Sequence, residues 1–365
     1  MKAIRYSLAF CLLAFFVGCD DVPTDAPDTA DAALFAKGGN KPKPPGEDPP
    51  AEWTTAQEIV YLTSVTKKGN TDRRIVVTSV VENPDGTVGP ADEAILLSYG
   101  EASVQEPAWS ASGDAVLFSV FNGLEGRGIY AVRRDPATNQ ASAPEFLFPH
   151  VSGTKPVMSP DGSKIAYVDW GLPAPGDIWV RERAPDGSWG SPVNIDGNGS
   201  ITGGSPAWAW DSHRLVATYD KDLLVYDIDP DGNGVIDQVS EMSITAGGPL
   251  AGQVVGGESS WARHDDRVVF GNYPGLWIID FNDPSNITTC LLAANSGNPS
   301  WSPDDTKIVH GGVLGSDIRV MTLDPTGSQA NGCPVVLSDD VIAAESSRCT
   351  GNSCQRVREP NWRRF

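Results

Sequence analysis

Short apolar runs, bounded by polar or glycine-rich turns, recur along the chain from about residue 57 to its end. Residues 128–132, 164–168 and 223–226 are clear examples, and each follows a segment rich in Gly, Pro, Asp or Ser. Runs of this length between turn signals are typical of β-strands. The chain also has 38 Gly and 29 Pro, too many for a helical bundle. The pattern therefore predicts an all-β protein.

A four-residue unit with a bulky fourth residue recurs six times. The copies occupy residues 106–109, 155–158, 205–208, 258–261, 298–301 and 359–362, and the fourth residue is Trp in all but the second, where it is Met158. Their fourth positions lie 49, 50, 53, 40 and 61 residues apart. A polar turn and three further strands follow each of the first five copies. Four short strands per unit at this spacing predict the blades of a β-propeller, in which we expect the bulky residues to pack between strands.

The first blade is built from both ends of the chain. Residues 58–64, 74–81 and 94–99 supply three strands, but no copy of the repeated unit precedes them. The missing strand is the last copy, residues 359–362. The C-terminal strand should close the first blade, which removes the open edge of a linear array. The sequence thus predicts a six-bladed β-propeller over residues 53–365.

The turns after the repeated unit carry a recognisable motif. Pro160-Asp161-Gly162 and Trp301-Ser302-Pro303-Asp304 are its sharpest instances. This motif resembles the WD40-like (PD40) repeats of the TolB-type propeller family, which also occur in the propellers of prolyl oligopeptidases. The resemblance covers about residues 57–365 and implies the fold but little about function. TolB has an α/β domain before its propeller where this chain has a spacer, so we do not expect the role of TolB. No Gly-x-Ser-x-Gly segment of a peptidase follows either.

The N-terminal segment is typical of a targeting signal. Lys2 and Arg5 precede the apolar run 8–17, which ends at Gly18-Cys19. The run is too short to span a membrane, so residues 1–18 are predicted to be a signal peptide. Its end resembles the bacterial lipoprotein signal, which implies lipidation of Cys19. The alternative is ordinary cleavage nearby, with Cys19 incidental.

Residues 19–52 are rich in Pro, Asp and Ala and predict a disordered tether. With the lipid on Cys19, the tether would hold the propeller away from a bilayer. We therefore expect an exported, membrane-anchored lipoprotein, periplasmic or on the cell surface, and monomeric.

Charge narrows the set of partners. The chain of 365 residues has a formal net charge of −20 and a pI of about 4.5. A basic footprint for nucleic acid is therefore absent, and we expect no nucleic-acid partner.

One acidic loop is a candidate calcium site. Oxygen-bearing side chains at positions 1, 3 and 5 of a loop can converge on a hard cation, and Gly at position 6 permits the turn. The loop 229–237 has this spacing, with Ser240 at position 12 where an EF-hand has Glu. Its candidate ligands are Asp229, Asp231, Asn233 and Asp237. The alternative is a polar hairpin turn, for which these residue types are equally suited.

The residues that open the repeated units should meet at the mouth of the central channel. The charged members of this set are Glu106, Lys155, Glu258 and Glu359. They could hold a cation or, as we favour, form ion pairs and solvated charges.

Four cysteines remain in the predicted mature chain: Cys290, Cys333, Cys349 and Cys354. An even number in an exported protein indicates two disulfides, with three possible pairings. The preferred pairings are Cys290–Cys333, between blades, and Cys349–Cys354, within an enlarged loop over residues 339–358.

The sequence leaves more than one function open. The leading hypothesis is a binding scaffold for an envelope protein, peptide or glycan. The alternatives are a propeller enzyme at the channel mouth, such as a calcium-dependent hydrolase or polysaccharide lyase, and a structural envelope component. The enzyme requires converging acids at the mouth; Glu–Lys pairs and small residues there would count against it.

Overall fold

The computed structural model describes residues 57–67, 70–98, 104–121, 126–135, 138, 140–150, 153–169, 176–196, 205–219, 221–236, 239–245, 248, 250–254, 257–272, 275–283, 285–312, 317–329, 332–344 and 353–363. The predicted signal peptide, Cys19 and the tether lie outside these residues. No helix in the described part of the chain is long and apolar enough to cross a membrane.

The described residues form six antiparallel β-sheets, which are the blades of a propeller. Blade 1 contains β1 (Gln57–Lys67), β2 (Asn70–Glu82) and β3 (Val88–Ser98). Blade 2 contains β4 (Val104–Trp109), β5 (Ala115–Val120), β6 (Gly128–Asp135), the short β7 (Gln140–Ala141) and β8 (Glu145–Pro149). Blade 3 contains β9 (Gly153–Met158), β10 (Lys164–Asp169), β11 (Asp177–Glu182) and β12 (Val193–Asn194).

The second half of the ring repeats this order. Blade 4 contains β13 (Ala207–Trp208), β14 (Arg214–Tyr219), β15 (Asp222–Asp227) and β16 (Ser240–Ser243). Blade 5 contains β17 (Ser259–Trp261), β18 (Arg267–Asn272), β19 (Gly275–Asp280) and β20 (Thr288–Ala294). Blade 6 contains β21 (Gly297–Trp301), β22 (Lys307–Gly311), β23 (Asp317–Ser328) and β24 (Pro334–Ala344).

The last strand, β25 (Ser353–Trp362), closes the ring by joining blade 1. It pairs antiparallel with β1, from Ile59 opposite Trp362 to Lys67 opposite Ser353. The sheet order is β25-β1-β2-β3, so the predicted six-bladed propeller with its first blade completed by the C-terminal strand is confirmed.

Apolar residues are buried between neighbouring blades. One cluster joins Val60 and Leu62 of blade 1 to Phe118 and Tyr130 of blade 2. The repeat tryptophans belong to this packing, since they are 5% exposed or less: Trp109, Trp208, Trp261, Trp301 and Trp362. They stabilise the ring, as the sequence predicted.

A repeated hydrogen bond also links three pairs of blades. The backbone N–H of the repeat Trp donates to a side-chain oxygen at the third position of the unit in the preceding blade. The pairs are Trp301 with Ser260 (3.1 Å), Trp362 with Ser300 (3.0 Å) and Trp109 with Asn361 (3.3 Å). The bond between Trp109 and Asn361 fixes the closing strand against blade 2.

The enlarged loop expected over residues 339–358 is largely β-structure. Residues 339–344 continue β24, and residues 353–358 begin β25. The polar Ser338-Asp339-Asp340 stretch has weak β-propensity. It is held as a strand because Asp339 accepts hydrogen bonds from His310 (3.1 Å) and Arg319 (3.0 Å).

Candidate functional site

The ring has two ends with different chemistry. At one end, here called the entry face, lie the first residues of the first strand of each blade, near Glu106 in β4 and Lys155 in β9. At the other end, the turn face, lie the turns between first and second strands, such as residues 110–114 and 159–163. Each face carries one cavity of interest.

The predicted channel-mouth residues line a small cavity at the entry face. Its volume is about 70 Å³, and first-strand residues of five blades contribute to it together with Pro360 and Asn361 of the closing strand. The residues that open the repeated units in its lining are Glu106, Lys155, Ser205, Glu258 and Asn298. The side chain of Glu359 lies outside the described residues.

Three of these residues have a left-handed backbone. Glu106, Lys155 and Asn298 have φ of 55°, 58° and 54°. The pairing of the first strand shifts beside each of them, as between Gln105 and Ala108 in blade 2. Positive φ is uncommon for residues other than Gly and costs free energy. This bulge could not be predicted from the sequence, because none of the three residues is Gly.

Lys155 contacts both glutamates whose side chains are described at the mouth. Its Nζ lies 3.2 Å from Oε1 of Glu258, with both side chains mostly buried. Its backbone N–H donates to the carboxylate of Glu106. The described lining of the mouth is thus a Glu–Lys–Glu arrangement among Ser, Asn, Pro, Ala and Val.

A much larger cleft opens at the turn face between blades 2 and 3. Its volume is about 780 Å³. Blade 2 contributes the turn 110–114, the start of β5, the end of β6 and the start of β8. Blade 3 contributes Met158, the turn 160–162 and the hairpin between β11 and β12, which includes residues 183 and 187–189.

Apolar side chains form the floor of this cleft. Leu147 is half-buried, lines the cleft and packs against the apolar cluster that contains Phe148. Trp189 is half-buried and packs at 6.2 Å against Phe148. Met158 joins the two walls, because its Sδ accepts the N–H of Ala111 at 3.3 Å.

Charges of both signs surround that floor. Arg133 pairs with Asp114 at 2.6 Å, both about half exposed. Burial acts to raise the pKa of Asp114, but hydrogen bonds from Ser112 and Ser110 hold it below its usual value. The guanidinium of Arg183 lies 5.9 Å from the Trp189 ring centre and covers one side of it. Glu145 and Asp161 leave the lining with a slight excess of acid.

The sequence does not reveal this cleft. Trp189 stands in a polar hairpin and Leu147 in an edge strand, and neither belongs to the repeated unit. A solitary aromatic residue in a polar turn is the one signal that could have identified it.

The predicted calcium loop connects β15 and β16 in the outer hairpin of blade 4. Asp229 accepts the backbone N–H groups of Asn233 (2.8 Å) and Gly234 (2.9 Å). Asp231 accepts the side-chain amide of Asn233 at 2.9 Å. These bonds belong to the polar turn that was the alternative. Asp237 lies outside the described residues, so calcium binding by this loop stays a prediction. Within the described ranges, no three His, Cys, Asp or Glu side chains form a group that could hold a metal.

Cys290 and Cys333 form a disulfide between blades 5 and 6, with Cα atoms 5.7 Å apart. This is the pairing preferred from the sequence. Cys349 lies outside the described residues, as does the side chain of Cys354, so their pairing stays a prediction.

Comparison with known proteins shows the fold and little more. No family model matches the chain, and no curated protein matches it significantly. TolB of Acinetobacter baumannii superposes with a TM-score of 0.55 at 16% identity, over 84% of this chain and 66% of that one. The chain thus spans slightly less than two thirds of that structure. A Lactobacillus plantarum protein gives 0.51 at 12% identity, over 83% of this chain and 99% of that one. The chain therefore has a six-bladed β-propeller fold similar to that of TolB.

Proposed function

We propose that this protein is an exported binding scaffold that holds a peptide segment of an envelope protein in the cleft between blades 2 and 3. The observation that carries the proposal is the cleft itself, at about 780 Å³. Ligand sites are concave, with an apolar floor and a few polar groups that fix orientation. Function on this fold resides in sites grafted onto the blades.

The chemistry of the lining favours a peptide over a glycan. A sugar stacks on an open aromatic face, but Arg183 covers one side of Trp189. An apolar side chain would pack against Leu147 and Met158. Because acids exceed bases in the lining, a basic residue beside the apolar one would find partners in Glu145 and Asp161. The occupant we propose is a peptide with an apolar side chain next to Lys or Arg.

The channel mouth supports an enzyme less well. General acid–base or hydrolytic chemistry needs acids with free proton-transfer geometry at the site. In the described lining, Lys155 engages both Glu106 and Glu258. The small residues around them, with a cavity of about 70 Å³, leave little room for a polymer.

The anchor and tether complete the proposal. Lipid on Cys19 and the spacer of residues 20–52 would place the ring at a distance from the membrane, with the cleft accessible to envelope proteins. Replacement of Cys19 by Ala should move the protein from the membrane fraction to the soluble fraction, and globomycin should cause its precursor to accumulate. An unchanged membrane fraction would contradict the anchor without affecting the cleft.

Site-specific photocrosslinking tests the cleft directly. With p-benzoylphenylalanine in place of Leu147, which lines the cleft, irradiation of intact cells should yield a crosslinked envelope protein. The matched control places the same group at Leu337, which is 60% exposed on β24 of blade 6. The exposed charge reversal Arg183→Glu should lower the yield from position 147.

The crosslinked segment can then be identified by mass spectrometry and synthesised. We expect the peptide to bind the wild type and to bind Leu147→Ser at least tenfold more weakly, with Leu337→Ser unchanged. Equal yields from positions 147 and 337, or equal affinity of both serine variants, would contradict the proposal.

A further inference from the structure

Two buried carboxylates of blade 3 lie at the entry face, away from the cleft. Asp177 opens β11 and is 1% exposed, while Asp196 follows β12 and is 4% exposed. Asn194 connects them, since its Nδ2 donates to Oδ2 of Asp177 at 2.6 Å and its Oδ1 accepts the N–H of Asp196 at 3.1 Å. Neither Asp177 nor Asp196 belongs to the repeated unit or to the proposed peptide site.

The remaining oxygens of this pair are poorly satisfied within the described part of the chain. Oδ1 of Asp177 and both carboxylate oxygens of Asp196 make no hydrogen bond of full geometry to any described group. Of the described backbone groups, only the N–H groups of Ile178 and of Asp196 itself lie close enough to stabilise the Asp196 carboxylate. Buried polar atoms are nearly always well paired, so such oxygens require an explanation such as an ion.

The electrostatics show how costly the arrangement is. Both carboxylates are almost fully buried, and Asp177 and Glu241 of blade 4 lie close enough to Asp196 for their negative charges to repel it. Two buried negative charges side by side are therefore unfavourable at neutral pH. A bound cation would remove this penalty.

We propose that Asp177 and Asp196 bind a hard divalent cation, with Ca²⁺ the preferred ion. Carboxylate oxygens are the ligands that Ca²⁺ takes, in monodentate or bidentate form, and water completes its coordination. Asp196 offers both oxygens and Asp177 offers one, while Asn194 orients the pair. Soft ligands are absent from the set, which disfavours Zn²⁺ and Cu⁺.

This site is separate from the loop 229–237. It would tie the beginning of β11 to the chain where it leaves β12, and so fix the exit from blade 3 toward blade 4. A cation there would explain why the carboxylates of Asp177 and Asp196 are buried, since neither lines the cleft or the channel mouth.

Calcium titration of the full chain tests the assignment. Isothermal titration calorimetry of EGTA-stripped protein should show calcium binding by the wild type. Asp196→Asn and Asp177→Asn should weaken it at least tenfold. The control is Asp231→Asn, which alters the loop 229–237 and should leave the blade 3 site intact.

Thermal melts give a second measurement. A misfolded variant would melt at a lower temperature than the wild type, whereas the proposal predicts the opposite in EGTA. In EGTA, Asp196→Asn should melt at a higher temperature than the wild type, because it removes a buried charge and keeps the shape. Added CaCl₂ should raise the melting temperature of the wild type and of Asp231→Asn, but not that of Asp196→Asn.

Several results would overturn the assignment. They are the absence of calcium binding by the wild type, unchanged affinity in Asp196→Asn, and loss of binding in Asp231→Asn alone. The last result would move the calcium site to the loop 229–237.

Discussion

The guanidinium carbon of Arg214 lies 5.1 Å from the ring centre of Trp261 in the next blade. The same contact joins Arg267 to Trp301 at 4.9 Å, one blade further around the ring. Both arginines stand six residues after their own repeat Trp. Cation–π contacts of this kind strengthen when they are desolvated. At these two interfaces the repeat therefore supplies both contacting residues, one from each blade.

Arg214 should be the more critical member of this set. It is about 10% exposed, and it pairs with Asp211 in its own blade and with Asp266 at 3.1 Å in blade 5. Arg214→Ala would remove the guanidinium that two buried acids share. Such losses typically cost about 3–5 kcal/mol, measurable by urea unfolding.

The control is Arg133→Ala, which breaks an ion pair whose members are 55% and 52% exposed. Exposed pairs contribute about 1 kcal/mol or less. Equal losses of stability in the two variants would contradict the role of Arg214.

The disulfide should contribute measurably to stability. Cys290 and Cys333 are 43 residues apart, and cross-links that close loops of this size typically stabilise by about 2–4 kcal/mol. The double variant Cys290→Ala/Cys333→Ala should lose that much in denaturant unfolding without reductant. Dithiothreitol should destabilise the wild type and leave this variant nearly unchanged. If dithiothreitol destabilised both equally, another disulfide would be responsible.

His150 predicts a loss of stability in acid. Burial lowers the pKa of His150 to about 4, against the opposing charge of Asp169. The unfolded chain has the ordinary value of about 6.5, so it binds the proton first as the pH falls. Stability should therefore decline between pH 6.5 and 4, by about 3 kcal/mol in total. His150→Gln should flatten this part of the profile.

His213 should act with the opposite sign. Burial opposes protonation there, but the hydrogen bond that His213 Nδ1–H donates to Asp227 and the charges of Asp211 and Asp227 raise the pKa of His213. Its contribution is present below the unfolded pKa and is lost as the pH rises above it. His213→Gln should leave the acid limb intact, and a loss of the acid limb in that variant would contradict the assignment to His150.

The sequence was sufficient for the ring because the ring depends on local patterns. Strand periodicity, the turn motif and the recurrence of Trp predicted the six blades. Blade 1 had no repeated unit before its first predicted strand, and this identified the C-terminal segment, β25, as its fourth strand. The cleft could not be predicted because it depends on Leu147 and Trp189, which belong to different blades and meet only in the folded ring. The same holds for Asp177 and Asp196, which meet only when β11 and the end of β12 pair. A strand such as residues 339–344 depends on partners, His310 and Arg319, rather than on its own propensity.

The left-handed backbone at the channel mouth should make stability depend on which residue occupies position 298. Asn298 has φ of 54° beside the irregular pairing of β21 and β22. Asn tolerates this region and Gly adopts it freely, whereas a β-branched residue there is a strong outlier. Asn298→Gly should keep wild-type stability within about 1 kcal/mol, and Asn298→Val should lose about 1–2 kcal/mol from the backbone alone.

The control for this pair is Gln105→Val. Gln105 lies in β4, next to the corresponding bulge but without positive φ. A β-branched residue suits an ordinary strand position, so this variant should lose little stability. Chemical unfolding of the three variants separates backbone strain from the general effect of introducing Val. If Asn298→Gly and Asn298→Val were equally stable, the left-handed conformation would not constrain the mouth.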